Sequence, residues 1–233
     1  MYRERPYLKI QNEIEIISGY ENVIKKIHTV SDSIDYISFE TFPGVKKDEW
    51  IKNISSIFKG WRIVDTDDYF YSKELIEKTI KPDLTDDKVF GRFSHIDFDE
   101  FLDKEKIRNS SFDKKTIFIG VLADELAECD LSVYIDVTRW EIQKRYRKDM
   151  PNWKGPSEAI FDEKLKRAYY FEWPAAEYIK RTKLTTFDFY IDSTDNNKPN
   201  MVSLSDYKKI LEEFTKSPFR LVPYFAPGVW GGD

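Results

Sequence analysis

The chain has 233 residues, of which 16% are aromatic and 34% charged, and its net charge of −5 gives no broad basic face for nucleic acid. No run of about 18 apolar residues is present, and the charged start predicts no signal peptide. One cysteine, Cys129, excludes an internal disulfide, and the presence of only two histidines argues against a His-rich metal site. We therefore expect a cytoplasmic domain with neither nucleic acid nor membrane as partner.

Apolar periodicity predicts alternating strands and helices along most of the chain. The predicted strands cover residues 13–18, 36–39, 61–64, 115–122, 131–137 and 187–192. The predicted helices cover residues 21–27, 46–58, 72–80, 97–106, 138–149, 160–171 and 207–214. This alternation indicates an α/β domain over residues 1–216, with a mostly parallel sheet and helices on both faces.

The segment 36–50 carries the clearest site pattern, because a buried strand there runs through a bend into a helix. Helix N-termini at such bends bind phosphate in open α/β proteins. Thr41 and Gly44 of the bend, with Lys46 and Lys47 after it, are the candidate phosphate ligands. The spacing departs from a P-loop, since Phe39 stands where the first glycine belongs and the lysine comes one place late. The loop therefore either binds phosphate in an unusual way or has lost the nucleotide.

Carboxylates follow the next predicted strand, where open α/β sheets place their chemistry. Asp67 and Asp68 are the candidates there, either to orient Mg²⁺ or to accept a proton from a substrate hydroxyl. The alternative is that one of them caps a helix.

A basic helix follows the strand at 131–137. Thr138 can cap it, and Arg139, Arg145 and Arg147 could clamp a transferring phosphate. The alternative is a solvated helix with pairs such as Glu141 and Arg145.

The order of these elements over roughly residues 30–190 resembles a nucleoside-kinase or uridine-kinase-like fold. In that fold a phosphate loop follows the first core strand, an Asp with aromatics follows the second, as at 67–71, and a basic lid follows a later strand. The resemblance implies a P-loop-kinase-like three-layer sandwich and ATP with Mg²⁺ as ligands. It names no separate metal site.

A second resemblance is carried by residues 136–145, 166–173 and 218–232, which end in Trp-Gly-Gly. These segments are similar to the N-terminal half of two-domain bacterial proteins classed with class I mannose-6-phosphate isomerases. It implies that the Pro-, Gly- and aromatic-rich residues 217–233 begin a cupin-type isomerase domain, in carbohydrate metabolism. The zinc ligands of that isomerase lie in the cupin and are not found in this chain.

Two functions remain open from the sequence. The first is a small-molecule kinase, or a domain that binds a nucleotide or phosphosugar without turnover. The second is a non-catalytic accessory domain with a degenerate P-loop that packs on an isomerase barrel.

Overall fold

A computed structural model describes residues 9–216, which form an α/β domain around one seven-stranded sheet. The strands are β1 (Ile17–Ser18), β2 (Tyr36–Thr41), β3 (Arg62–Asp65), β4 (Thr116–Gly120), β5 (Leu131–Asp136), β6 (Phe189–Asp192) and β7 (Asn200–Ser203). The α-helices are α1 (Tyr20–Thr29), α2 (Lys47–Ile57), α3 (Lys73–Leu84), α4 (Lys104–Arg108), α5 (Arg139–Tyr146), α6 (Phe161–Arg167), α7 (Trp173–Lys183) and α8 (Leu204–Lys216).

The sheet is mostly parallel, as the sequence predicts. Its strand order is β1-β7-β6-β5-β2-β4-β3, and every neighbouring pair from β6 to β3 is parallel. The remaining strands, β1 and β7, pair antiparallel. After β6 the chain turns back into β7, a strand that the sequence pattern did not indicate. The strand predicted over 13–18 is only two residues long.

The centre of the sheet is covered on both faces. All five residues of β4 are buried, as are the last five of β2. Successive residues of a strand point to opposite faces, so continuous burial requires cover on each side. This burial agrees with the expectation of helices on both faces, while the three-layer arrangement itself stays a prediction.

Three helical predictions need correction. The helix predicted to stop before Pro82 continues to Leu84, with Pro82 in its last turn. The helix predicted over 97–106 is a 3₁₀ turn (Phe98–Phe101) followed by the short α4. The helix predicted over 160–171 is the first part of a longer run, in which a π-helical turn (Ala168–Glu172) joins α6 to α7.

The sequence predicts a cupin-type start at the C-terminal end of the chain and no membrane span. Residues 217–233, predicted to open a cupin-type domain, lie outside the described residues. Between residues 9 and 216, no helix is both long and apolar enough to span a bilayer.

Candidate functional site

The carboxyl ends of the parallel strands bring most of the predicted site residues to one edge of the sheet. Strand β2 lies between β4 and β5, and the chain leaves β2 for β3 on one side before it returns to β5 on the other. Open α/β sheets bind ligands in the crevice at such a switch point. The bend after β2 therefore occupies the position where a ligand is expected.

The bend itself is packed against the neighbouring helix α5. Gly44 has a φ of +100°, and a Cβ added there would lie 2.7 Å from Cγ1 of Ile142. Glycine is needed here both for the backbone angle and for the close approach of the helix. Thr41, the last residue of β2, is buried beneath the bend.

Several N–H groups that follow the bend are already hydrogen-bonded within the chain. The N–H of Val45 donates to the Phe42 carbonyl at 3.0 Å, and the N–H of Lys47 donates to the Val45 carbonyl at 2.9 Å. The N–H of Glu49 donates to the Lys46 carbonyl at 3.1 Å. A P-loop instead directs such groups at the phosphates, whereas these three N–H groups donate within the chain.

Arg145 fixes this closed bend from α5. Its guanidinium is 4% exposed and donates to the carbonyls of Gly44 at 2.8 Å and Ser193 at 2.9 Å. It also pairs with Glu141 at 3.3 Å, the helical pair named as an alternative from the sequence. Arg145 thus touches the predicted phosphate loop but binds its backbone.

Lys47 and Asp67 lie together, as expected from their places at neighbouring strand ends. The Lys47 ammonium contacts Oδ1 of Asp65 at 2.6 Å and also Oδ2 of Asp67. Asp65, which was not among the predicted site residues, caps the 3₁₀ turn at 66–69 by accepting from the N–H of Asp67 at 2.9 Å. Asp67 is therefore left to face the lysine.

Two further donors reach Asp67 from the loop after α5. The indole Nε1 of Trp153 donates to Oδ1 of Asp67 at 3.0 Å, and the Lys154 ammonium donates to the Asp67 carbonyl at 2.9 Å. The indole is held edge-on between the rings of Phe70 and Phe98, with centroids 4.8 and 4.7 Å away. We call the segment Asn152–Gly155 the strap, because its Trp153 and Lys154 reach the turn after β3 and contact Asp67.

The charges of this cluster influence one another. Burial alone would lower the pKa of Lys47, but Asp67 and Asp65 outweigh it and raise that pKa above its ordinary value. The pKa of Lys154 is lowered, first by burial and also by repulsion from Lys47, although Asp67 opposes the shift. Two ammonium groups held this close indicate that the cluster is suited to negative charge.

A buried polar network holds the strap from behind. Asn152 donates to the Glu172 carboxylate at 2.9 Å, and Arg167 donates to the same carboxylate at 2.6 Å and to the Trp153 carbonyl at 3.2 Å. Glu172 is fully buried in the π-helical turn. Such turns often occur at functional sites, and here the turn aims an acid at the base of the strap.

A second buried carboxylate, Glu40, lies near the end of β2. Its two oxygens accept from the N–H groups of Leu122 and Ala123, each at 2.8 Å. Burial, reinforced by the nearby Asp124 charge, raises the pKa of Glu40 to about 8, although Lys183 and the two N–H donors oppose the shift. Glu40 therefore ties the loop after β4 to the central strand.

The remaining predicted residues lie apart from this cluster. Lys46 and Asp68 are exposed. Arg139 pairs with Glu177 at 3.2 Å, and the guanidinium of Arg147 lies 4.1 Å from the centre of the Phe161 ring. The structure thus brings together Lys47 and Asp67, places Thr41, Gly44 and Arg145 beside them at the bend, and separates the other four.

Sequence reasoning missed Trp153, Lys154 and Glu40. A lone acid within the apolar strand 36–41 was a usable signal for Glu40. The strap residues lie in a loop between Pro151 and Pro156 and gave no periodic signal. Their role depends on long-range contacts, which local patterns do not encode.

The fold and site define an open α/β domain with a compensated charge cluster at the carboxyl edge of its sheet. The family DUF8485, a domain of unknown function, matches residues 19–216, and the chain belongs to this family. A search of curated proteins found no match. The likeness to mannose-6-phosphate isomerases gains no support from these comparisons.

Among solved structures, the chain is similar to one from Silicibacter sp. TM1040 whose description reads "putative fructose transport system kinase". The two chains are 12% identical, the match covers 70% of this chain and 94% of the other, and the TM-score is 0.41. At that TM-score the likeness carries no functional argument.

Proposed function

We propose that this domain binds a phosphorylated small molecule, a nucleotide or a phosphosugar, at the Lys47–Asp67 cluster, without transferring the phosphoryl group. The observation that carries this proposal is the convergence of three donors on one aspartate. Lys47 comes from α2, and Trp153 and Lys154 come from the strap.

A set of two ammonium groups and an indole N–H is suited to a phosphate. Charge-assisted hydrogen bonds to anions are shorter and stronger than neutral ones. Within the chain, the Asp67 carboxylate takes the place of such an anion. A phosphate that displaced it would keep the Lys47 ammonium paired. It would also give a charged partner to the Lys154 ammonium, which donates to the backbone carbonyl of Asp67.

The packed bend argues against phosphoryl transfer. A transferring γ-phosphate needs a cradle of free donors and a metal at the bridging oxygens. Ile142 fills the space at Gly44, and the N–H groups of Val45, Lys47 and Glu49 donate within the chain. The function we favour is therefore binding alone.

A panel of ligands tests the proposal. Inorganic phosphate, glucose 6-phosphate, AMP and Mg²⁺–ATP are each added to the wild-type chain and to Lys154→Ala, and the melting temperature is measured. A ligand that binds only the folded chain raises the melting temperature by mass action. We expect at least one monophosphate to stabilise the wild type and to lose about tenfold in affinity in Lys154→Ala. The matched control, Lys148→Ala, removes an exposed lysine nearby in sequence and is expected to bind like the wild type.

The second candidate is the non-catalytic accessory domain. The observation that favours it is the saturation of Asp67, since the same contacts hold the strap closed without a ligand. In that case neither the phosphates nor Mg²⁺–ATP would stabilise the wild type. ATP hydrolysis or phosphoryl transfer to a sugar by the wild type would contradict both candidates.

A further inference from the structure

A second cleft opens at the same edge of the sheet, on the other side of β2. It has a volume of about 490 Å³, within the range of small-molecule sites. Strand ends β5 and β6, the start of α5 and the middle of α7 form it, with Phe42 of the bend at its border. Neither Lys47, Asp67 nor any strap residue lines this cleft, so the proposed phosphate site and this cleft can be tested with different variants.

The floor of this cleft is fixed and electrically balanced. The Asp136 carboxylate accepts from the Lys180 ammonium, from the Tyr190 hydroxyl at 2.5 Å and from the Val137 N–H at 2.8 Å. Burial would lower the pKa of Lys180, but Asp136 outweighs it and the pKa is raised, so the ammonium persists. Lys180 is therefore already paired with a carboxylate and needs no bound anion.

The Tyr190 ring holds the floor in place. It stacks on Tyr207 with centroids 4.0 Å apart and lies 6.0 Å from Tyr134 on a near-parallel plane. Burial, followed by the charge of Asp136, raises the pKa of its hydroxyl far above the ordinary value, so the group remains a donor. A floor held this way needs little rearrangement when a ligand enters.

One wall carries a second balanced pair. Arg139 and Glu177 lie 3.2 Å apart, and about half of each side chain is exposed. Such pairs contribute little in water, because solvent screens them. They leave the charge of the cleft unchanged.

The remaining charged residue is Asp192, at the end of β6. It is exposed, and its Oδ1 accepts from the N–H of Thr194 at 2.9 Å. It forms no ion pair with any residue between 9 and 216. Every cation of the lining is thus matched by a carboxylate, and Asp192 is left over as the uncompensated charge.

We propose that this cleft binds a small organic amine, whose ammonium group pairs with Asp192. An ammonium supplies the charge that the lining lacks and donates up to three hydrogen bonds. An anion would have to break the Asp136–Lys180 or the Arg139–Glu177 pair to find a cation. The ligand class is therefore set by what the cleft leaves unpaired.

The test uses ethanolamine, glucosamine and the free amino acids as amines, with acetate as the anion, on the full chain. We expect at least one amine to raise the melting temperature in a saturable way, and its affinity to fall about tenfold in Asp192→Asn. The introduced amide keeps an oxygen that can accept from Thr194, so the turn is retained. The matched control, Asp86→Asn, removes an exposed carboxylate elsewhere and is expected to bind like the wild type.

Three results would overturn the proposal. These are the absence of stabilisation by any amine, an amine effect that survives Asp192→Asn, and stabilisation by acetate that is lost in Arg139→Gln but kept in Lys154→Ala. If Asp192→Asn does not fold, Asp192→Glu serves as the second variant. It keeps the charge but moves it outward, and we expect it to bind the amine more weakly than the wild type. A negative result with the amines does not contradict the phosphate proposal, because Lys154→Ala changes only the proposed phosphate site.

Discussion

Two groups of charged residues lie at the carboxyl edge of the sheet, one on each side of β2. They differ in how their charges are paired. On the β3 side, Lys47 and the strap donors converge on Asp67, and the cluster is partly buried. On the β5 side, the pairs are balanced in an open cleft and Asp192 is left over. In the cluster, the chain's own Asp67 carboxylate pairs with the donors. In the cleft, the Asp192 carboxylate has no ion-pair partner within the chain that the structure describes.

Helix α5 divides the two sides. It supplies Ile142, which packs against Gly44, and Arg145, which binds the bend and the turn after β6. At its N-terminus it also supplies Arg139 to the open cleft. The difference between the two sides depends on the position of α5. Arg145 fixes that position, so removing its guanidinium tests this dependence.

Arg145→Met is expected to have the largest effect. It keeps much of the side-chain volume but leaves the carbonyls of Gly44 and Ser193 without this donor, and Glu141 is left with Lys144 as its ion-pair partner. Removing one partner from a buried charged network typically costs about 4 kcal/mol of unfolding free energy. Urea denaturation measures this cost.

The matched control is Arg147→Met, at the residue that directly follows α5. Arg147 is exposed and lies over the Phe161 ring, an arrangement that contributes about 0.5 kcal/mol. Equal losses of unfolding free energy in the two variants would mean that Arg145 does not stabilise the bend. They would contradict the inference that α5 separates the two sides.

Glu40 gives a smaller effect that depends on pH. Its folded-state pKa is raised to about 8, whereas the ordinary value is 4.5, so the folded chain holds a proton that the unfolded chain releases between these values. The stability it contributes is therefore greatest at low pH and falls as the pH rises from about 4.5 to about 8.

Glu40→Gln removes this titration. The side-chain NH₂ group of the glutamine would face one of the two backbone N–H groups that donate to Glu40. We therefore expect the free energy of unfolding to fall by about 2 kcal/mol and its dependence on pH to become flatter. Denaturation at several pH values measures both, with the exposed Glu128→Gln as control. A Glu40→Gln profile as steep as that of the wild type would assign the pH dependence to other groups.

Much of the fold could be predicted from the sequence, because it depends on local pattern. The apolar runs at 115–122 and 131–137 identify central parallel strands, and the three-to-four-residue spacing of apolar residues identifies α2. The proximity of Lys47 and Asp67 also follows, since parallel strands bring their carboxyl ends to one edge.

The rest depends on contacts that join distant segments. Nothing near Gly44 indicates that Ile142, far along the chain, packs against it. The same holds for Trp153, whose indole reaches back across 86 residues to Asp67. Arg139 begins the short helix that carries Arg145, and Arg147 directly follows that helix. The three arginines point to different surroundings, because successive helical positions turn by about 100°.

Whether the Asp67 carboxylate occupies an anion site can be measured by calorimetric titration of inorganic phosphate into the wild type and Asp67→Asn. The introduced amide keeps an oxygen for the Trp153 indole but removes the competing charge. If Asp67 fills an anion site, phosphate binds Asp67→Asn at least about tenfold more tightly than the wild type, while Asp86→Asn binds like the wild type. Equal or weaker phosphate binding by a folded Asp67→Asn would show that the carboxylate holds no such site.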